Sequence, residues 1–169
     1  MTTTMQTKPN ALIWLALSAL VIVLDQITKQ IAIAELEPYR PHAVIPGLLN
    51  WTLAFNTGAA FSFLHDAGGW QRWLFTCLAI AVSAVLVIWL ARLARRDWRT
   101  ALPFALVIGG ALGNLIDRVR LGHVIDFIEV YHGHWSWPAF NVADSAICIG
   151  AVLLILFGLG GRKTPATAA

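Results

Sequence analysis

The chain has 169 residues, of which 58% are hydrophobic and 12% are Asp, Glu, Lys or Arg. Soluble domains carry about 25% charged residues, so the composition excludes an ordinary water-soluble fold and points to an integral membrane protein. The net charge is only +3 and the basic residues crowd beside apolar segments, which suits membrane orientation and excludes a nucleic-acid partner.

The first apolar run starts at Ala11, reaches Leu24 and continues through Asp25 and Lys29 to about Ala34. Lys8 and the small residues Ala32-Ile33-Ala34 would also suit a cleaved secretory leader. Asp25 and Lys29 interrupt the approach to that site and three more hydrophobic segments follow, so the run is read as a membrane helix. Pro38 to Phe63 reads as non-membrane structure. Leu48–Leu53 and Ala59–Phe63 predict strands, with turns at Pro46-Gly47 and Asn56-Thr57-Gly58. Asn56 could serve a site or simply hold its turn.

Trp73 to Ala91 is uncharged for 19 residues, enough at 1.5 Å per residue to cross a hydrocarbon core of about 30 Å. Ala101 to Ile116 follows, with Pro103 in its first turn and Gly109, Gly110 and Gly113 permitting close helix packing. Gly122 to Ala139 connects it to the last span, Pro138 to Leu159, which opens with Asn141, Asp144 and Ser145. His132 and His134 in the connection lack a ligand set of metal-binding spacing and are read as water-facing, as are His42, His65 and His123; no metal or other cofactor is expected. Cys77 and Cys148 are read as small buried hydrophobes, and the tryptophans near segment ends as interfacial anchors.

Lys8, the four arginines Arg92, Arg95, Arg96 and Arg99, and Arg162 with Lys163 fall on one side of a four-span protein. The positive-inside rule assigns that side, and both termini, to the cytoplasm. Asp25, Asn114, Asp117, Arg118 and Asp144 then all lie toward the outer face. A transporter would need polar groups in both halves of the membrane; a pocket at the outer surface fits better.

Asp126 and Asp144 are the strongest chemical candidates. The connection between them is long enough to fold back and bring them together. Two adjacent carboxyls share a proton, so one can take a proton from water while the other donates one to an amide. Each Asp alone could equally be a helix cap or an ion-pair partner. Asp117 and Arg118 could pair with each other or with neighbours, and Arg118 and Arg120 could snorkel to headgroups or orient a substrate carbonyl. Asp25 and Lys29 are four apart and can form a helical ion pair. Asn114 and Asn141 could polarise a carbonyl or lock helices together. Ser62, Ser136 and Ser145 lack an evident base at a diagnostic spacing, which weighs against a serine peptidase.

In these stretches the sequence resembles the lipoprotein signal peptidase family, also called signal peptidase II. The matching segments are Asp25–Lys29, Phe55–Phe63, Gly109–Arg118, Gly122–Phe127 and Phe140–Ser145, in family order over residues 12–160. The resemblance implies an aspartic endopeptidase of the bacterial inner membrane. Such enzymes remove signal peptides from prolipoproteins carrying diacylglycerol on a cysteine, cutting just before that cysteine. It implies Asp126 and Asp144 as the catalytic pair and Asn56, Gly110, Asn114, Arg118 and Asn141 around the substrate. Asp25, Lys29 and Asp117 become structural polar support. The expected fold is an all-α polytopic membrane protein forming one domain. Four transmembrane helices near 12–33, 71–92, 100–119 and 139–160 carry a small extracytoplasmic β-sheet cradle near 38–69 and an extracytoplasmic lid near 122–138. The expected partners are a diacylglyceryl-prolipoprotein and membrane lipids, with the enzyme acting as a monomer.

Overall fold

The computed structural model describes residues 10–58 and 69–159. The expected strand Ala59–Phe63, and with it Ser62 and His65, lies outside the described residues, as do Lys8, Arg162 and Lys163. Among the described residues there are four helices: α1 (Leu15–Glu35), α2 (Trp70–Arg92), α3 (Trp98–Arg120) and α4 (Val142–Leu159). The strands are β1 (His42–Ile45), β2 (Leu49–Asn56), β3 (Val124–His132) and β4 (Trp135–Ser136). A 3-10 turn, Ala11–Trp14, leads into α1, and its Ala11 N–H donates to Leu93 O at 3.1 Å, tying the start of the chain to the end of α2.

Three helices are long and apolar enough to cross a membrane: Ala11–Glu35, Trp70–Arg92 and Trp98–Arg120. The fourth apolar helix has 18 described residues, or about 27 Å. Large apolar side chains point away from the protein on α1, α2 and α4, among them Ile31, Leu78 and Ile155. That inversion of the soluble pattern is expected where lipid is the solvent. Cys77 and Cys148, expected as buried, are exposed on the same kind of surface; a thiol is apolar enough to meet hydrocarbon.

α3 is the central helix and packs against the other three. Its glycines set the approach. A Cβ at Gly109 would stand 2.9 Å from Ser18 O of α1, and one at Gly113 would stand 2.8 Å from Asp25 Oδ2. A Cβ at Gly110 would collide with Ala143 O and lie 2.7 Å from Ile147 Cγ1 of α4. α3 ends at Gly122, whose φ of 86° lets the chain turn directly into β3.

The strands form one antiparallel sheet in the order β1-β2-β3-β4. Residues 122–138, expected as a lid, carry its third and fourth strands. β3 pairs with β2 through Asn56↔Val124, Ala54↔Asp126 and Trp51↔Ile128, with an irregularity between Trp51 and Ala54. On its other side β3 meets the returning chain: Ile128 and Phe140 exchange N–H···O bonds of 2.9 and 3.0 Å, and Trp137 N–H donates to Val130 O at 2.7 Å. Leu53, Ile125 and Phe127 bury against Ala32, fastening the sheet to the end of α1.

Candidate active site

β3 supplies Asp126 and the first turn of α4 supplies Asp144. Asp126 is buried, 2% exposed, while Asp144 is half-buried. Asn141 joins them. Its Nδ2 donates to Asp126 Oδ1 at 2.7 Å, its backbone N–H donates to Asp144 Oδ2 at 3.3 Å, and its Oδ1 accepts from the Asp144 N–H at 2.8 Å. The last two bonds form a capping box, in which the residue before a helix and the one three places on satisfy each other's backbone donors. Asp144 is thus both a helix cap and a member of the carboxyl pair, two readings that the sequence left as alternatives.

Asn56 also serves two ends. Its Oδ1 accepts from Gly58 N–H at 3.0 Å, holding the turn after β2, and its Nδ2 donates to Asp126 Oδ2 at 3.0 Å. Asn114 of α3 donates through Nδ2 to Asp144 Oδ1 at 2.7 Å; its Oδ1 accepts from Asn141 Nδ2 at 3.1 Å and from Lys29 Nζ at 2.9 Å. Three asparagine amides therefore hold the two carboxyls without adding charge. Burial, and secondly the neighbouring Asp144 charge, push the Asp126 carboxyl up from its ordinary 3.8 to about 7; the Asn56 and Asn141 amides oppose the rise.

Behind the pair lies a second polar layer. Lys29, 1% exposed, contacts Asp25 Oδ2 at 2.8 Å and Asp117 Oδ2 at 2.7 Å. With Asn114 these exhaust its three donors. Asp117 thus pairs with Lys29 and not with the adjacent Arg118. Asp25 Oδ1 accepts the Ala143 N–H at 2.9 Å, and Asp117 Oδ2 accepts the Ile125 N–H at 3.2 Å. Gln26 Nε2, unnoticed in the sequence, bridges Asp117 Oδ1 at 2.8 Å and Asp25 Oδ2 at 3.3 Å.

Arg118 reaches Gly58 O through Nη2 at 3.0 Å, and its guanidinium lies over the Phe75 ring, 5.2 Å from the centroid. Its Nε is buried without a partner among the described residues. Gly110 faces the α4 backbone at Ala143. A groove of about 420 Å³ opens at Asp144 between Asn56, Trp137 and Phe140 and runs along Cys148 and Ile149 of α4. Polar groups stand at its head and apolar ones along its length, the usual division for a site that orients one end of a lipophilic ligand.

Residues 17–159 match the family model described as "Signal peptidase (SPase) II". The chain is 58% identical over 156 residues to the lipoprotein signal peptidase of Xanthomonas campestris pv. campestris (strain 8004), covering 92% of this chain and 93% of that one. It is 56% identical over 160 residues to the lipoprotein signal peptidase of Xylella fastidiosa (strain M12), covering 95% and 96%. Two solved bacterial membrane enzymes, determined by the in meso method at 2.3 and 1.9 Å resolution, share the fold. They align with TM-scores of 0.79 and 0.73 at 30% and 31% identity, over 97% and 95% of this chain and 100% and 99% of theirs. With its helices, its sheet and its sequence matched over nearly the whole length, the chain belongs to the signal peptidase II family of aspartic-type membrane endopeptidases.

Proposed function

We propose that the enzyme removes signal peptides from diacylglyceryl-modified prolipoproteins, hydrolysing the amide just before the lipidated cysteine with water activated between Asp126 and Asp144. The observation that carries this reading is that Asn141 binds both carboxyls, Asp126 through its side-chain Nδ2 and Asp144 through its backbone N–H, with Asp144 at the mouth of a groove. The pair enters the reaction sharing one proton, assigned in this reading to Asp126, the more enclosed of the two carboxyls, which burial raises to about 7. Asp144, open to the groove, draws the proton from the attacking water. Asp126 gives its own to the scissile carbonyl oxygen; as the tetrahedral intermediate collapses, Asp144 passes the water-derived proton to the leaving amine and Asp126 recovers a proton from the collapsing hydroxyl. Asn56, Asn114 and Asn141 hold the carboxyls in place, and the Arg118 guanidinium, whose Nε–H has no partner among the described residues, orients a substrate carbonyl.

The substrate chemistry suits the setting. Two acyl chains partition into hydrocarbon while the amide reaches polar groups at the helix ends. The arginines at the α2–α3 turn support a cytoplasmic position for that turn by the positive-inside rule, and with it a site at the outer leaflet of the inner membrane. The bonds that hold Asp126 and Asp144 come from one chain, which supports a monomeric enzyme.

The test is cleavage of a lipidated precursor by purified protein. Asp126→Asn and Asp144→Asn should insert, bind substrate and fail to cleave it; normal turnover by either removes the pair from the mechanism. The precursor lacking its diacylglyceryl group should be a poor substrate, and equal turnover of both forms would remove the lipid requirement.

A further inference from the structure

Lys29 touches neither Asp126 nor Asp144, yet it is linked to the backbone just before each. Through Asp117 Oδ2, 2.7 Å away, it reaches the N–H of Ile125, the residue before Asp126. Through Asp25, with Oδ2 at 2.8 Å, it reaches the N–H of Ala143, the residue before Asp144. Its third donor goes to Asn114, whose amide holds Asp144 itself. One ammonium group on α1 therefore ties β3 to α4 by two routes of equal construction.

We propose that Lys29 is a positioning residue that sets the separation of β3 from α4, and with it the gap between the Asp126 and Asp144 carboxyls; this rests on the paired-carboxyl reading above. Asp25 and Asp117 would repel without a cation between them, and the ammonium, 2.8 and 2.7 Å from their Oδ2 atoms, draws them together with the backbone N–H groups they hold. Helix cohesion alone would not call for it. Buried ionic clusters can often be replaced by apolar residues of similar volume with no loss of stability. What an apolar replacement cannot supply is three directed bonds from one point. Gln26 spans the same two carboxylates from outside, 2.8 Å from Asp117 Oδ1 and 3.3 Å from Asp25 Oδ2, and it could keep the layer folded without fixing that distance.

The test is the double variant Asp25→Asn/Lys29→Met. It removes one charge of each sign, leaves an acceptor for the Ala143 N–H and roughly keeps the side-chain volumes. With a diacylglyceryl-modified prolipoprotein in detergent micelles, KM should stay within about threefold and kcat should fall about 100-fold, the loss typical of reacting groups misplaced by about 1 Å. Amide hydrogen exchange at Ile125 and Ala143 should quicken. A folded double variant with kcat within about threefold of the parent overturns the proposal. Should that variant fail to fold, Asp117→Asn and Asp117→Ala decide. The first keeps the acceptor for Ile125 and should retain kcat within about tenfold, and the second should lose about 100-fold at similar KM; equal turnover of the two overturns the proposal. Asp126→Asn, assayed alongside, separates the readings: if it cleaves, the carboxyl pair is at fault, and if it is inactive while the Lys29 variant is normal, the positioning role alone falls.

Discussion

Burial and a neighbouring carboxylate make Asp126 retain its proton to about pH 7 in the folded protein, against 3.8 for the ordinary side chain. Between these values the folded state binds more protons than the unfolded chain. Asp126 therefore contributes its full stability below about pH 4, loses about 1.4 kcal/mol per pH unit as the pH rises, and has lost the whole contribution above about pH 7. Asp126→Asn has no proton to lose. It should flatten the dependence of the melting temperature on pH between about 4 and 7. An unchanged slope in a detergent-phase melting series would show that Asp126 does not titrate there. Single residues were legible to different depths. The i,i+4 pair of Asp25 and Lys29 follows from helical spacing and is observed. The Asn141-x-x-Asp144 capping box is an equally local signal, but it was weighed only as a generic cap. The bond from Asp25 to Ala143 spans 118 positions, and no local pattern announces it.

α3 positions the site through what it lacks. At Gly110 a methyl group would run into Ala143 O and Ile147 of α4, and Ala143 directly precedes Asp144. Gly110→Ala should cost about 1–3 kcal/mol of stability through overpacking and should lower kcat, because α4 cannot yield without carrying Asp144 with it. Gly158 near the end of α4 meets nothing within 4 Å, so Gly158→Ala should leave both quantities unchanged. Comparable losses from the two substitutions would refute the packing role of Gly110. The glycines of α3 were readable as packing residues because small side chains along an apolar helix have few other uses. β3 was not read as a strand, although Val124 to Tyr131 is rich in β-branched and aromatic residues. Its alternation is blurred because Val124, Ile125, Asp126 and Phe127 are all buried. A strand covered on both faces loses the period of two that would reveal it.

Taken as a whole, the molecule joins a membrane bundle to a sheet through the end of α1, the α3–β3 turn and the Phe140 return. The number and order of the helices were plain in the sequence, since apolar runs of such length are stable as helices in a membrane. How the sheet sits on them was not, because it depends on bonds between residues far apart in the chain. One consequence concerns the bilayer itself. Asp126 rides on the sheet, fixed on both edges, whereas Asp144 rides on the first turn of α4, a membrane helix of 18 described residues, about 27 Å. A membrane thicker than a helix is matched by straightening the helix and thinning the bilayer around it, a strain that falls on α4 before it falls on the sheet. Turnover should therefore decline through a series of vesicles made from phosphatidylcholines of increasing acyl length, even with substrate saturating, and chain-length-independent turnover would argue that the two halves move as one. Lipid composition would then act as a rheostat on proteolysis, with no ligand required.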